Sequence, residues 1–274
     1  MVTLRIPRGL GVLALAACFV LMGCNSTPKD NYKEQPVEFL YNAAVDQMEQ
    51  HNWSVSARIF DEVERQHPYS IWATKAQLMQ SYVNYENNHY DEAIAAADRF
   101  IQLHPGNHDT PYAYYIKAIS YYEQIVDVQR DQANTQNAAK ALQDVVTRFP
   151  DSKYARDARL KLDLTKDHLA GKEMEIGRYY ERQGLYIAAI NRFQNVVKNY
   201  QSTTHVPEAL ARLVECYSAV GLPEEAKKDA AVLGYNFPDN EWYQDSYDLV
   251  KGGRAAPEET PNWIARILES ADPF

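Results

Sequence analysis

The side chains best equipped for chemistry are seven histidines, three cysteines and a few adjacent carboxylates. The histidines are His51, His67, His89, His104, His108, His168 and His205. A helix-borne metal site needs two of them about one turn apart on one face. His104 and His108 have that spacing, but Pro105 and Gly106 break any helix between them. No HExxH, glycine-rich phosphate loop or GxSxG elbow occurs. Cys216 stands beside Glu215, whose charge opposes a thiolate, so it reads as a packing cysteine. Asp91-Glu92 and Glu224-Glu225 sit where helices begin, and carboxylates there complement the positive helix end. The expectation is a protein with no catalytic residue, no metal and no cofactor.

Cys24 is different. Residues 1–9 carry Arg5 and Arg8 and no acid, and residues 10–22 (LGVLALAACFVLM) are apolar without a break. That is a basic n-region and an apolar h-region of signal-peptide length, too short to span a membrane comfortably. Leu21-Met22-Gly23-Cys24 follows, and it resembles a bacterial lipobox, in which the cysteine is acylated as the first mature residue. Leu15-Ala16-Ala17-Cys18 has the same pattern, but cutting there would leave apolar FVLM at the new start. Residues 1–23 are therefore expected to be a lipoprotein signal peptide, and residues 24–36 a lipidated flexible tether. Each buried CH₂ contributes about 0.8 kcal/mol. The three chains usual in such lipoproteins would anchor it for good. Asn25 in place of Asp favours export to the outer membrane over retention in the inner one.

Without residues 1–23 the chain has 26 basic and 37 acidic side chains, a net charge of −11. That excludes the electrostatic footprint of a nucleic-acid binder. With Cys18 and Cys24 accounted for, Cys216 has no disulfide partner, so stability must come from a core. Hydrophobic residues make up 46% of the chain, enough for one. Glycine is scarce and long alternating β-branched runs are absent, which favours helices.

The elements that position everything else emerge as a repeat. Apolar-periodic segments close at Pro68, Pro105, Pro150, Gln201 and Pro238, at intervals of 37, 45, 51 and 37 residues. Tested against the tetratricopeptide pattern, four units place a small or modest residue 24 positions before that closing residue. These are Ala44, Ser81, Gly177 and Val214. In the third unit Ser120 lies 30 before Pro150, which predicts a six-residue insertion in DVQRDQANTQ (127–136). Each second helix supplies a packing set: Ser56, Phe60 and Val63; Ala93, Ala97 and Phe100; Ala189 and Phe193; Ala226, Ala230 and Leu233. The small residue lets the second helix approach, and the large ones fill the gap. Proline then ends the helix.

Single helix pairs cannot bury their own faces, so neighbours must stack. The predicted fold is all-α: a right-handed α-solenoid of about five tetratricopeptide repeats with a C-terminal capping helix. Residues 37–150 hold repeats 1–3. Residues 151–238 hold a long helix, kinked at Gly171, and repeats 4–5. Residues 239–274 hold the capping helix and a tail, whose NWIARILES has apolar residues at helical spacing and reads as a docking helix.

With no enzyme chemistry, function must lie on the solenoid's faces. First helices should line a concave groove. Tyr41, Tyr82, Tyr85 and Tyr121 are predicted to point into it and to suit an extended peptide or a partner's loop. Arg178, Glu181 and Arg182, with Arg192 from the second helix, are predicted to form a mixed-charge surface for a folded partner.

DEVERQHPYSIWATKAQL, YDEAIAAADRFIQLHPGN and the block from Arg148 to Leu210, together with the lipobox, resemble the BamD family of outer-membrane assembly lipoproteins. The resemblance implies a five-repeat tetratricopeptide lipoprotein on the periplasmic face of the outer membrane. It implies a non-catalytic scaffold in the machinery that folds and inserts β-barrel proteins. It also implies that the C-terminal repeats dock on a POTRA domain of BamA. The N-terminal repeats would contact unfolded outer-membrane β-barrel substrates and accessory lipoproteins. Arg192, in INRFQN, falls on the BamA-facing side by this resemblance. The chain departs from the family at Met22, at Gln201 and in the tail from about residue 251. A peptide-binding adaptor of cell-wall or division complexes is the alternative on the same fold.

Overall fold

The computed structural model describes residues 34–252. Cys24, the signal segment, most of the tether and the NWIARILES segment lie outside the described residues. Within them are eleven helices: α1 (Val37–Glu49), α2 (Trp53–Gln66), α3 (Ile71–Glu86), α4 (Tyr90–Leu103), α5 (Thr110–Glu123), α6 (Ala133–Arg148), α7 (Ala155–Arg182), α8 (Tyr186–Asn199), α9 (Val206–Ala219), α10 (Pro223–Asn236) and α11 (Glu241–Val250). No strand occurs among the described residues. Each helix packs on the next, giving five antiparallel pairs, and α11 covers α9 and α10. First helices of successive pairs also touch, α1 with α3, α3 with α5 and α5 with α7. Contact between first helices places them on the inner side of the array. This is an all-α helix-pair solenoid.

The repeat positions act sterically. Ala44, Ser81, Ser120 and Val214 have no exposed surface, and neither do Phe60, Val63, Ala93, Ala97, Ala189, Phe193 and Leu233. A Cβ added to Gly177 would lie 2.8 Å from Cδ1 of Phe193, so the ring sits where a side chain would be. In the first pair Ser56 Oγ donates to the Ala44 carbonyl at 2.8 Å, which satisfies a buried hydroxyl across the crossing.

Two turns repeat along the chain. Between first and second helices, the second residue after the helix takes a left-handed conformation: His51 (φ 59°), Asn88 (φ 59°), Gly184 (φ 72°) and Gly221 (φ 79°). The following amide bonds back five residues, as from Leu185 to Tyr180 and from Leu222 to Tyr217. Between pairs, the helix-ending residues His67, His104, Phe149, Tyr200 and Phe237 all have φ between −130° and −137°. Proline after a residue disfavours α geometry there. Tyr200 precedes Gln201 yet adopts the same turn, with Thr203 N–H on its carbonyl at 3.0 Å. The turn thus forms without a following proline.

α7 runs as one helix of 28 residues through Gly171. Its missing side chain makes room: an added Cβ would lie 3.3 Å from His205 Nε2. The third-pair insertion is shifted. Irregular backbone occupies 124–132 and the ANTQ part of the expected loop already belongs to α6. Gln132 sets that boundary, because its buried Nε2 donates to the carbonyls of Asp127, Val128 and Arg130 and its Oε1 accepts from Thr135.

The first described residues are tied down. Gln35 N–H donates to Gln66 Oε1 at 2.9 Å, and the Gln35 carbonyl lies 2.7 Å from His67 Nε2.

Candidate interaction site

The inner face carries a tyrosine band, assembled differently from the expected one. Tyr41 is wedged between helices, edge-on to Phe60 (5.5 Å between ring centroids) and tilted on Trp72 (4.8 Å). Tyr82 packs T-shaped on Trp53, and Tyr121 packs on the core around Leu142. These three rings spend much of their surface holding pairs together. Tyr85 faces Tyr90 at 5.9 Å. Its hydroxyl is pushed up to about 12 by burial and then by the charges of Glu123 and Glu86.

Composition and repeat spacing missed the centre of the band. Tyr112 and Tyr115, three apart on α5, both stack on Tyr154, at 5.2 and 5.1 Å. The Tyr115 hydroxyl donates to Asp157 Oδ2 at 2.6 Å, and Lys161 Nζ lies 2.9 Å from the same carboxylate. Burial would raise the Asp157 carboxyl, yet these two donors hold it below its ordinary range. Burial first, and neighbouring hydroxyls and carboxylates after it, push the Tyr112 and Tyr115 hydroxyls well up. The band therefore offers neutral, half-buried rings with acidic groups at its rim. The signal that could have found it is the pair of tyrosines one turn apart in TPYAYYIK.

The expected mixed-charge surface divides in two. Arg182 is exposed at the end of α7. Arg192 lines an open cleft of about 430 Å³ with Glu173, Tyr180, Asn195 and Lys198. Its guanidinium lies 3.2 Å from Glu173 Oε2, and the side chain keeps 41% of its surface. Arg178, whose side chain keeps 34% of its surface, donates from Nη1 to both Glu208 oxygens at 3.0 Å, joining α7 to α9.

Glu181 corrects the expectation outright: it is 2% exposed and does not reach the surface. One turn after Gly177, it faces α9, where Cys216 Sγ donates to it at 3.6 Å and Arg212 lies 3.7 Å away. Arg212 also reaches Glu215 at 2.9 Å and covers the Trp242 ring of α11. Burial, then repulsion from Glu215, pushes the Glu181 carboxyl up to about 8 despite Arg212. Cys216 is fully buried, and burial together with Glu181 pushes its thiol far up, so it is inert packing. The charges meant for a partner are partly internal mortar between repeats 4, 5 and the cap.

The outer membrane lipoprotein family YfiO matches residues 33–233. The chain is 51% identical to outer membrane protein assembly factor BamD of Caulobacter vibrioides, over 97% of this chain and 91% of that protein. It is 47% identical to the protein of the same name in Rickettsia prowazekii, over 85% of this chain and 92% of the other. Among solved structures, the TPR domain of P58(IPK) aligns with 86% of this chain and 64% of its own, at a TM-score of 0.41 and 15% identity.

Proposed function

We infer the function from family membership: this chain belongs to the outer membrane lipoprotein family YfiO, and it is a scaffold for outer-membrane protein assembly. The observation that carries this reading is the 51% identity to a BamD assembly factor over nearly the whole chain. The geometry fits a protein that works by binding: its conspicuous features are open faces on a rigid array. No catalytic residue, metal or cofactor enters the proposal.

The finer division of labour follows the two faces. The tyrosine band of α3, α5 and α7 would receive extended segments of unfolded β-barrel substrates. Neutral rings supply contact area at low entropy cost and hydroxyls for backbone groups. The Arg192 cleft would receive a folded partner, the POTRA domain of BamA, with exposed Arg182 at its margin. Other assembly lipoproteins would share the remaining surface. Cys24 would carry the lipid that holds the array on the periplasmic face of the outer membrane. Arg178 and Glu181 drop out as direct contacts and serve to hold α7 against α9.

Two experiments test these assignments. Arg192→Glu puts a second carboxylate beside Glu173, reverses the charge offered to the partner and should weaken co-purification of BamA about tenfold or more. Helical circular dichroism should stay unchanged. Undiminished recovery of BamA would remove Arg192 from the interface, and recovery of cell-wall or division proteins in its place would favour the adaptor reading. Cys24→Ala should abolish incorporation of labelled palmitate while the purified chain stays folded; labelling that persists would place the anchor elsewhere.

A further inference from the structure

α11 has the marks of a first helix. Eight residues after each closing residue a small side chain is buried: Ala76, Ala113, Ala158 and Ala209 in pairs two to five, and Ser246 in α11. The register of the preceding first helices therefore continues beyond Pro238. α11 also ends as first helices do. Gly252, the second residue after it, is left-handed (φ 70°), in the place of His51, Asn88, Gly184 and Gly221. In those four pairs the turn delivers a second helix.

One face of α11 stays exposed among the described residues. Trp242, Tyr243 and Val250 pack on the core of the last two pairs, with the Tyr243 ring against the bare backbone of Gly234. Tyr247 and Lys251 stand nine and thirteen residues after Pro238. Gln77 and Ser81 hold those places after Pro68, and Leu210 and Val214 hold them after Gln201. All four of these are buried, whereas Tyr247 is 40% exposed and Lys251 is exposed too.

The chain beyond Gly252 carries the spacing of a second helix. In all five pairs the residues eight and five before the closing one are apolar and buried, from Phe60 and Val63 before Pro68 to Ala230 and Leu233 before Pro238. Ala265 and Leu268 stand eight and five before Pro273. Pro261 can open a helix as Pro111, Pro207 and Pro223 do.

We propose that residues 261–272 are the second helix of a sixth pair, laid on the Tyr247 and Lys251 face of α11 in the same chain. The lengths allow it. α11 ends twelve residues after Pro238, six fewer than α9 after Gln201, a shortfall of about 9 Å. The ten residues 251–260 can span about 33 Å. From Gly252 to Pro273 is 21 residues, against 17 from the left-handed residue to the closing one in the four regular pairs. That excess of four is smaller than the six of the third pair. So short a connection also gives the segment a millimolar effective concentration at its own α11, which favours it over a second copy or a partner. The inference rests on the helix-pair fold and not on the assembly reading, so either can fail alone.

Disulfide trapping in the full-length protein in detergent micelles tests it. Lys251 and Ala265 take the places of Gly177 and Phe193, which touch in the fourth pair. Lys251→Cys with Ala265→Cys should therefore link within one chain under mild oxidation, located by mass spectrometry; buried Cys216 does not compete. Ser270 stands three before Pro273, where Arg65, Lys198 and Tyr235 are exposed in complete pairs. Lys251→Cys with Ser270→Cys should link at least tenfold more slowly. Leu268→Asp, added to the first combination, should slow its linking at least tenfold and leave the helical signal of the array unchanged. Equal rates for the two combinations, no link from either, or a rate untouched by Leu268→Asp would overturn the proposal. So would links that form only between chains when the single variants are mixed, which would give the face to a second copy.

Discussion

Phe193→Ala should lower stability by about 3–5 kcal/mol, the cost of emptying a large buried aromatic site. The ring is fully buried and lies against the bare backbone of Gly177, at the crossing of α7 and α8. No side chain from Gly177 can close in to fill the space. The partner change gives the sharper test. In the parent chain Gly177→Ala drives a methyl group into the ring and should destabilise. In the Phe193→Ala background the same change meets no ring, and alanine exceeds glycine in helix propensity by about 0.8–1.0 kcal/mol. There it should stabilise. The cycle predicts a reversal of sign, which additive sites never show. Urea unfolding followed by circular dichroism, with hydrogen exchange of α7 and α8 amides to localise the loss, reads it directly. The same sign in both backgrounds would mean that the ring and Gly177 are not the contact that sets this crossing.

Glu181→Gln should stabilise the protein in alkaline solution and change little in mild acid. The folded carboxyl is pushed up from 4.5 to about 8, by burial first and by Glu215 second. A raised carboxyl means that the folded chain holds its proton more tightly than the unfolded one. Its contribution is complete below about pH 4.5 and is lost as the pH climbs through 8. The groups facing it are Arg212, Glu215 and Cys216 from α9 and Tyr186 from α8. An amide keeps the shape and removes the charge that burial disfavours. Arg212 retains Glu215 at 2.9 Å and Glu208 at 3.7 Å, so it is not stranded. Exchanging buried charge for a neutral group of similar size can gain about 1–4 kcal/mol. Melting curves from pH 5 to 9 should converge in acid and separate in base, with the variant on top. Curves that stay parallel across the range would show that Glu181 does not titrate there.

The array itself was readable from the chain. Ala44, Ser81, Gly177 and Val214 recur at a constant interval before the closing residue, and Phe60, Phe100 and Phe193 follow in register. Such positions are legible because each is set by contacts within one helix pair, a local unit that the chain repeats. The turns were legible for the same reason, even at Gln201, where the proline is missing.

What could not be read was which way a polar side chain faces once three helices meet. Glu181, predicted to be a surface charge, is sealed by α9; Tyr41, predicted to line a groove, also packs on Phe60 and Trp72. Tyr154 becomes the centre of the tyrosine band only because α5 and α7 come side by side. Gly171 leaves room for His205, 34 residues away. Sequence alone determined the repeat, the helix boundaries set by punctuation, and the lipoprotein family that the motifs resemble. Tertiary structure alone decided which charges and rings remain for partners, because exposure depends on elements distant in sequence, and one-dimensional spacing carries no information about them.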